Sequence, residues 1–294
     1  MDNEFIRELQ AINSSILFMN VSLKKFNTLK LESKVKYLIK PTNFIELKKV
    51  LYILKRFNIS YYVIGNGSNI IFTSKEKTCL IKLDLKKSKY NNILMASELL
   101  MIKANELSNQ GYSGFEYISN IPASIGGAIV MNAGAYSHHL SDIIEFVYYL
   151  DEHFNIKVMK QNDCDFKYRY SIFKDSDKIV LGCKIRLIED DKNNLKEIIY
   201  ECNEKRKITQ PIEYPNCGSV FKNTSNNKAW ELVDSVNLRG YKLNGAMVSE
   251  KHCNFIVNLG NATGEDIINI IKFVKIKVKD TFDINLEEEI VIID

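Results

Sequence analysis

The 294-residue chain lacks the signatures of several classes of protein. It has no Cys-x-x-Cys pair, no His-Glu-x-x-His segment and no apolar run of membrane-spanning length. These absences argue against a structural zinc site, a zinc protease and a transmembrane helix. The six cysteines are scattered, and we expect them to be reduced thiols. Because the spacing of cysteine and histidine fits no zinc site, we expect no metal. Because no basic-then-apolar leader begins the chain, we expect a cytoplasmic protein.

The chain also has little excess charge. Lys and Arg number 40 and Asp and Glu 36, which gives a formal net charge of +4. This small excess is spread along the sequence, so it predicts a solvated surface and neither a nucleic-acid nor a membrane partner. A hydrophobic fraction of 46% and a charged fraction of 26% are those of a soluble globular protein. The length predicts about two domains.

Helical and strand-like segments alternate without an internal repeat, and many of the strands look antiparallel, which predicts an α+β fold. Asn43 and Ser97 are the expected N-caps of two helices, and Gly111 is an expected C-cap. Two of the four prolines, Pro211 and Pro215, mark a domain boundary near 200–215. Helices are expected at 3–13, 43–58, 97–111, 191–207, 228–237 and 264–280. Strands are expected at 35–40, 60–64, 69–72, 78–84, 93–96, 143–150, 156–160, 179–187, 218–222, 254–259 and 289–293.

Two glycine-containing segments are candidates for ligand binding. The loop at 65–69 follows a strand, and such a loop can present consecutive N–H groups to an anion. Ile70 stands where a dinucleotide fingerprint needs glycine, so the loop matches neither that fingerprint nor a Walker loop. It could also be an ordinary Asn-Gly hairpin turn. Segment 118–136 is rich in Gly and Ala, which suits contact between backbone amides and a ligand, or a buried helix–helix contact.

Polar clusters are candidates for chemistry, and each has a plainer alternative. Arg169, between two tyrosines, can bind a carboxylate, or can stack on tyrosine in a surface strand. Gly218 leaves room for a ligand beside Ser219, although the segment can equally be a β-turn. Glu289 precedes an apolar strand, where a shifted pKa would permit proton transfer, whereas a solvated charge run is the commoner case. A further polar patch at 245–258 contains four candidate ligand contacts: Ser249, Lys251, His252 and Asn254.

Taken in order, these segments resemble the UDP-N-acetylenolpyruvoylglucosamine reductase family, flavoenzymes of peptidoglycan precursor synthesis. The short spacing from Arg169 to Ser219 is similar to the family's second type, which lacks an inserted loop over the substrate. The resemblance rests on seven segments along nearly the whole chain: 63–69, 121–128, 132–136, 168–171, 218–223, 248–252 and 286–289.

The resemblance implies a two-lobed FAD-binding domain of the vanillyl-alcohol-oxidase (PCMH) type, followed by a substrate-binding domain. The implied FAD domain covers 1–200, with lobes of about 1–85 and 86–200. The substrate-binding domain covers 201–285, and a C-terminal strand at 286–294 returns to the active site. The residues implied to hold FAD are Gly65, Asn66, Gly67, Ser68, Asn69, Pro122, Ser124, Gly126, Gly127, Asn132, Ala133 and Gly134.

The resemblance also implies a reaction and its residues. NADPH reduces the flavin, and a nucleotide-sugar enolpyruvyl ether is then reduced by a monomeric enzyme. Arg169 and Glu289 stabilise the enolate-like intermediate, and Ser219 protonates it. A carboxylate at this place helps only when protonated or hydrogen-bonded, so we expect a raised pKa for Glu289. The residues implied to bind the substrate's carboxylate, diphosphate or uridine are Tyr168, Lys222, Asn223 and His252.

Some positions depart from the family pattern, which usually has glycine there: Glu32, Ser33, Asn120, Ala123 and Ser137. A methyl group at Ala123 is tolerable if its φ is negative. We further expect a larger side chain at Gly126 to intrude on FAD. Two other functions stay open at this point: an FAD-dependent oxidase of sugars or alcohols, and a binding protein without turnover.

Overall fold

The computed structural model describes residues 2–294 and confirms an alternation of helices and strands. Its α-helices are α1 (Asp2–Ile12), α2 (Phe44–Arg56), α3 (Leu100–Gln110), α4 (Ile125–Val130), α5 (Lys192–Thr209), α6 (Ala229–Ser235) and α7 (Gly264–Phe282). Its strands are β1 (Leu17–Ser22), β2 (Lys34–Ile39), β3 (Tyr62–Ile64), β4 (Ile70–Phe72), β5 (Lys77–Lys82), β6 (Ile93–Met95), β7 (Tyr112–Ser113), β8 (Gly134–Ala135), β9 (His138–His139), β10 (Ile144–Leu150), β11 (Ile156–Lys160), β12 (Ile179–Ile185), β13 (Ile188–Glu189), β14 (Asn216–Ser219), β15 (Lys242–Leu243), β16 (Ala246–Val248), β17 (Phe255–Asn258) and β18 (Val291–Ile293).

The chain divides into two compact units. Unit 1 comprises residues up to 20, 36–66 and 78–203, and unit 2 comprises 21–35, 67–77 and 204–294. The expected boundary near 200 therefore coincides with a change of unit, but two short N-terminal segments group with unit 2. The assignment of one unit to the cofactor and the other to the substrate stays a prediction.

Unit 1 contains two four-stranded sheets. One has the strand order β1-β2-β5-β3, in which β3 and β5 are parallel. The other has the order β11-β10-β12-β6 with antiparallel pairs, as the sequence predicts for 143–187. The core of the unit joins both sheets to the buried faces of the helices, including Leu47, Val50, Leu51 and Leu54 of α2. Their spacing places them on one face of α2.

Unit 2 is built on the antiparallel sheet β14-β17-β16-β15 and the parallel pair β18–β4. Its core includes Ile267, Ile270, Ile271, Val274 and Val278 from one face of α7. A capping box formed by Thr263 and Asp266 begins that helix and satisfies its first N–H groups. The C-terminal strand therefore has a partner, β4, that comes more than 200 residues earlier in the chain.

Most helix ends agree with the sequence predictions, and one is wrong. The Asn43 side chain accepts the N–H of Glu46 at 3.0 Å, and Gly111 ends α3 with a φ of 91°. Ser97 does not cap α3, because its hydroxyl donates to the carbonyl of Leu85 and the helix begins only at Leu100.

No helix among residues 2–294 is long and apolar enough to cross a membrane.

The turn between β8 and β9 is backbone-strained. The strands pair Ala135 with His138, so Tyr136 and Ser137 form a two-residue turn, and their φ values are 51° and 64°. Positive φ at both central residues is the type I′ geometry, which favours Asn and Gly. Ser137 is a position where the resembled family usually has glycine, so this departure has a conformational cost. Ala123, in contrast, keeps a negative φ, and its methyl group is tolerated.

We expect Ser137→Gly to stabilise the protein. Relief of the left-handed strain exceeds the entropic cost of glycine, for a gain of about 0.5 kcal/mol in the free energy of unfolding. Ser88→Gly is the control, because Ser88 has a negative φ and its hydroxyl accepts the N–H of Tyr90. In urea unfolding, the free energy of unfolding should rise in Ser137→Gly and fall in Ser88→Gly. An equal fall in both variants would contradict the strain argument.

Candidate functional site

In unit 1, the start of the loop at 65–69 packs directly on the small-residue segment. A Cβ at Gly65 would lie 2.3 Å from the Ser124 hydroxyl oxygen, so only glycine allows this approach. The Asn66 side-chain amide donates to the carbonyl of Pro122 at 2.7 Å. The two segments that the sequence assigns to FAD are therefore in contact, and the side chain of Asn66 serves to join them.

This junction leaves backbone donors without protein acceptors. The N–H groups of Asn66, Ala123 and Ser124 donate to no acceptor among residues 2–294. Clustered free N–H groups are the donors that anionic oxygens bind. The residues present therefore fit a cofactor that carries a diphosphate, as FAD does.

Helix α4 shows that part of the small-residue segment serves protein packing. Ser124 caps the helix by accepting the N–H of Gly127, and the N–H of Gly126 donates to the carbonyl of Ala96. A Cβ at Gly126 would lie 2.9 Å from the Ala96 Cβ. The first obstacle to a larger residue at Gly126 is therefore Ala96, which revises the expectation of intrusion on FAD. Gly127 is less restricted, because a Cβ there would meet the Ser124 hydroxyl oxygen at 3.3 Å.

The end of the same segment holds the arginine predicted to be catalytic. Asn132 donates to the carbonyl of Lys167 at 3.1 Å, and Ser171 donates to that of Val130 at 2.8 Å. The tight turn between Lys167 and Tyr170 places Arg169 in the left-handed region, with a φ of 56°. Its guanidinium donates to the carbonyl of Gly134 at 3.1 Å. Such strain in a non-glycine residue is typical of functional positions.

The tyrosine next to Arg169 also matches one of the alternatives left open by the sequence. The Arg169 guanidinium lies 5.0 Å from the centre of the Tyr168 ring, which is half exposed. Stacking and carboxylate binding are compatible, because a guanidinium stacked on a ring keeps donors in its own plane. Asn132, in contrast, uses its side chain on protein groups, since it also accepts the N–H of Ser141.

One charged group beside the loop at 65–69 was not predicted from the sequence. Lys82, the last residue of β5, donates its ammonium to the carbonyl of Gly65 at 2.5 Å. Burial lowers the pKa of this lysine. The only sequence signal is a lysine that ends the strand directly after the apolar residues Cys79, Leu80 and Ile81.

In unit 2, a β-bulge presents the serine predicted to be catalytic. Asn216 pairs with Val257 and Ser219 with Phe255, so Cys217 and Gly218 together oppose one residue of β17. Gly218 has a φ of 81°, and a Cβ there would meet nothing within 4 Å. A bulge of this kind bends the strand and re-aims the next side chain. The geometry explains why glycine precedes Ser219.

The C-terminal acidic run lies against the segment that follows this bulge. The N–H of Glu289 donates to the carbonyl of Val220 at 2.8 Å, which brings Glu289 next to the Ser219 strand. Burial and the nearby Glu289 carboxylate raise the pKa of the Cys217 thiol to about 12. Glu288 is paired instead with Lys275 at 2.8 Å, and Glu287 with Lys222. The three acids therefore have three different environments.

The substrate-binding candidates in unit 2 have partly structural environments. The Lys222 ammonium pairs with Glu287, and the Asn223 side chain accepts the N–H of Ala229 at 3.0 Å, at the start of α6. His252 packs its ring 4.8 Å from that of Phe255, and burial lowers its pKa, so it is neutral at pH 7. The Nδ1 atom of His252 accepts the N–H of Asn254 at 3.3 Å, so the Nε2–H of the neutral imidazole is the group left to donate to a ligand.

The side chain of Asn254 fixes the position of the segment that follows the bulge. Its side chain accepts the N–H of Phe221 and donates to the carbonyl of the same residue, both at 2.9 Å. Its own carbonyl accepts the N–H of Val220 at 2.9 Å. The sequence suggests Asn254 as a ligand contact, whereas the structure uses it to position the backbone.

The structure thus brings together Ser219, Glu289 and Lys222 in unit 2, and the loop at 65–66 with segment 122–134 and Arg169 in unit 1. Asn69 belongs to unit 2, where its side chain donates to the carbonyl of Glu289 at 3.0 Å. No group of three or more His, Cys, Asp and Glu side chains suited to a metal ion occurs within the described residues.

Two protein-family models match successive parts of the chain. Residues 35–153 match an FAD binding domain family. Residues 210–293 match the family "UDP-N-acetylenolpyruvoylglucosamine reductase, C-terminal domain". The first match covers the loop at 65–69 and the small-residue segment, and the second covers Ser219, His252 and Glu289. The α+β fold with a cofactor domain and a reductase C-terminal domain is therefore confirmed.

Full-length relatives carry the same name. The UDP-N-acetylenolpyruvoylglucosamine reductase of Caldanaerobacter subterraneus is 35% identical over 94% of this chain and 93% of its own. That of Carboxydothermus hydrogenoformans is 36% identical over 96% of each chain. The crystal structure of the Thermus caldophilus reductase superposes with a TM-score of 0.83 at 28% identity, covering 95% of this chain and 99% of the other. The chain belongs to the UDP-N-acetylenolpyruvoylglucosamine reductase family.

Proposed function

We propose that the protein uses NADPH and FAD to reduce the enolpyruvyl group of UDP-N-acetylglucosamine enolpyruvate to UDP-N-acetylmuramate, a precursor of peptidoglycan. The observation that supports this best is the bulge at Gly218, which presents Ser219 beside Glu289 in the unit that matches the reductase C-terminal domain. Family membership favours this function over the two alternatives left open by the sequence, an oxidase and a binding protein.

The cofactor is FAD, and we propose that the loop at 65–69 and segment 122–134 hold it. Free N–H groups of both segments suit the diphosphate, and the glycines at 65 and 126 keep the segments in place. When bound, FAD supplies the hydride that adds to the terminal methylene carbon of the enolpyruvyl group. The addition sends an electron pair toward the substrate carboxylate, and the protein's own residues must stabilise that charge.

Arg169 is the proposed partner of the substrate carboxylate. Its guanidinium donates to the carbonyl of Gly134, and a guanidinium carries its N–H donors in a planar fork that matches a carboxylate. The fork can bind two carboxylate oxygens at once, and such charge-assisted pairs are about twice as strong as neutral hydrogen bonds. The strained backbone at Arg169 fits a position selected for placement of the side chain.

Ser219 is the proposed proton donor and Glu289 its neighbour in charge stabilisation. The enolate-like carbon is strongly basic, so a hydroxyl suffices to protonate it, and the reaction consumes one proton with each NADPH. Glu289 is held by its backbone N–H on Val220 and lies close to the buried Cys217. A carboxyl group there assists the anionic intermediate only in its protonated form, so we propose that Glu289 is protonated when the substrate binds.

Further contacts complete the proposal. Tyr168, Lys222, Asn223 and His252 contribute to binding of the carboxylate, diphosphate or uridine of the substrate. Lys222 is only 17% exposed and already pairs with Glu287, so a substrate phosphate would compete with that carboxylate. We also propose that the protein acts as a monomer in the cytoplasm, as we expect from the sequence.

The Ser219→Ala variant tests the proton-donor role. We expect reduction by NADPH to proceed normally, because Ser219 takes no part in it. Oxidation of the reduced protein by UDP-N-acetylglucosamine enolpyruvate should slow by roughly 10²- to 10⁴-fold, the usual contribution of a general acid. Stopped-flow absorbance of the two half-reactions measures both rates. Ser235→Ala, an exposed serine on α6, is the matched control. Equal loss of both half-reactions in Ser219→Ala would contradict the role.

A pair of glycine variants tests the role of the bulge. Gly218→Ala and Gly260→Ala both place a methyl group at a positive φ with open space around it. Each should therefore lose about 1–2 kcal/mol of stability through backbone strain. Only Gly218→Ala shifts the adjacent Ser219, so only that variant should slow reoxidation, by at least about tenfold. The same kinetics in both variants would show that the bulge does not position Ser219.

A further inference from the structure

Lys82 is a half-buried cation without a negative partner in the described chain. Its ammonium donates to the carbonyl of Gly65, and it forms no ion pair with any described residue. The nearby carboxylate of Asp84 is paired with Lys40 at 3.3 Å. Removal of a cation from water without a compensating charge is costly, so such a group usually has an anionic ligand.

Lys82 contacts the peptide between Gly65 and Asn66, and the N–H of that same peptide is one of the donors without an acceptor. All peptide bonds described are trans, so the carbonyl of Gly65 and the N–H of Asn66 point in opposite directions from one peptide plane. The ammonium therefore lies on the carbonyl side of the Gly65–Asn66 peptide. The N–H of Asn66, which has no acceptor in the described chain, points away from the opposite side. Hydrogen bonds in series polarise one another, so donation to the carbonyl makes that N–H a stronger donor.

The surrounding packing prevents the loop from satisfying these donors by itself. Gly65 is pressed against the Ser124 hydroxyl, and the Asn66 side chain is fixed on the carbonyl of Pro122. The N–H groups of Ala123 and Ser124 lie in the same junction and also have no acceptor within residues 2–294. The junction thus has three N–H groups available to an anion, and the Lys82 ammonium lies behind the peptide that carries one of them.

We propose that Lys82 is a positioning residue for the cofactor: it holds and polarises the Gly65–Asn66 peptide so that its N–H binds the diphosphate of FAD. The diphosphate is the part of FAD that carries two permanent negative charges, so it matches free N–H donors next to an unpaired ammonium. Burial and the ammonium of Lys40 lower the pKa of Lys82, while the carboxylate of Asp84 raises it. The inference rests on FAD as the cofactor.

Binding of FAD and riboflavin to the apoprotein tests the proposal. Lys82→Met should raise the Kd of FAD by about 10- to 100-fold, because the Gly65–Asn66 peptide is no longer held for the charge-assisted hydrogen bond from the Asn66 N–H to the diphosphate. The Kd of riboflavin, which has no phosphate, should not change. Lys82→Arg keeps the charge and should restore most of the FAD affinity. Lys184→Met removes a lysine of unit 1 that is paired with Glu145 at 2.8 Å, and it should leave both constants unchanged.

A second probe and a stability measurement make the test decisive. ADP carries the diphosphate without the flavin ring, so its inhibition constant against FAD should rise in Lys82→Met by a similar factor. The apoprotein of Lys82→Met should keep its Tm, because an uncompensated cation has been removed. A lower apoprotein Tm with equal weakening of FAD and riboflavin, or an unchanged constant for ADP, would overturn the inference. A wild-type protein that binds no FAD would instead contradict the cofactor assignment.

Discussion

The contact of Gly65 with Ser124 is the constraint on which the proposed cofactor site of unit 1 depends. A Cβ at Gly65 would overlap the hydroxyl oxygen that caps α4, so the loop approaches the small-residue segment only because that position lacks a side chain. Asn66 then locks the contact through the carbonyl of Pro122. The N–H groups near the contact cannot turn toward protein acceptors, and this is why the junction can serve an anionic cofactor.

A second constraint operates independently in unit 2. The extra residue of the bulge at Cys217–Gly218 changes the direction of Ser219, and Asn254 fixes the strand immediately after it. The C-terminal segment completes this arrangement, since Glu289 is bound to Val220 and β18 to β4. Residues from distant parts of the sequence therefore meet at one strand end, where the proposed proton donor and carboxyl group act.

The sequence predicted those features of the fold that depend on local patterns. The spacing of apolar residues identified α2 and α7, and alternation identified the antiparallel strands at 144–185, because both signals come from neighbours in the chain. Ser97 was wrongly expected to cap α3, because its hydroxyl bonds to Leu85, a partner that local sequence does not reveal. The grouping of 21–35 and 67–77 with unit 2 is likewise a result of tertiary contacts.

The candidate site shows the same distinction. Motifs identified the loop at 65–69, Arg169, Ser219 and Glu289 because their order resembles a family, and the family is confirmed. The uses of individual side chains were not predictable, since Gly126 packs on Ala96 and Asn132 bonds to Lys167. Lys82 was missed because one lysine in a strand has no meaning until its partner, the carbonyl of Gly65, is known.

An anaerobic absorbance titration of the wild-type protein tests the central claim most directly. The protein is reconstituted with FAD, then treated with NADPH and afterwards with UDP-N-acetylglucosamine enolpyruvate in the absence of oxygen. The account predicts that NADPH bleaches the flavin absorbance and that one equivalent of the enolpyruvyl nucleotide restores it. A protein that takes up no FAD, or a reduced flavin that the enolpyruvyl nucleotide does not reoxidise, would contradict the account.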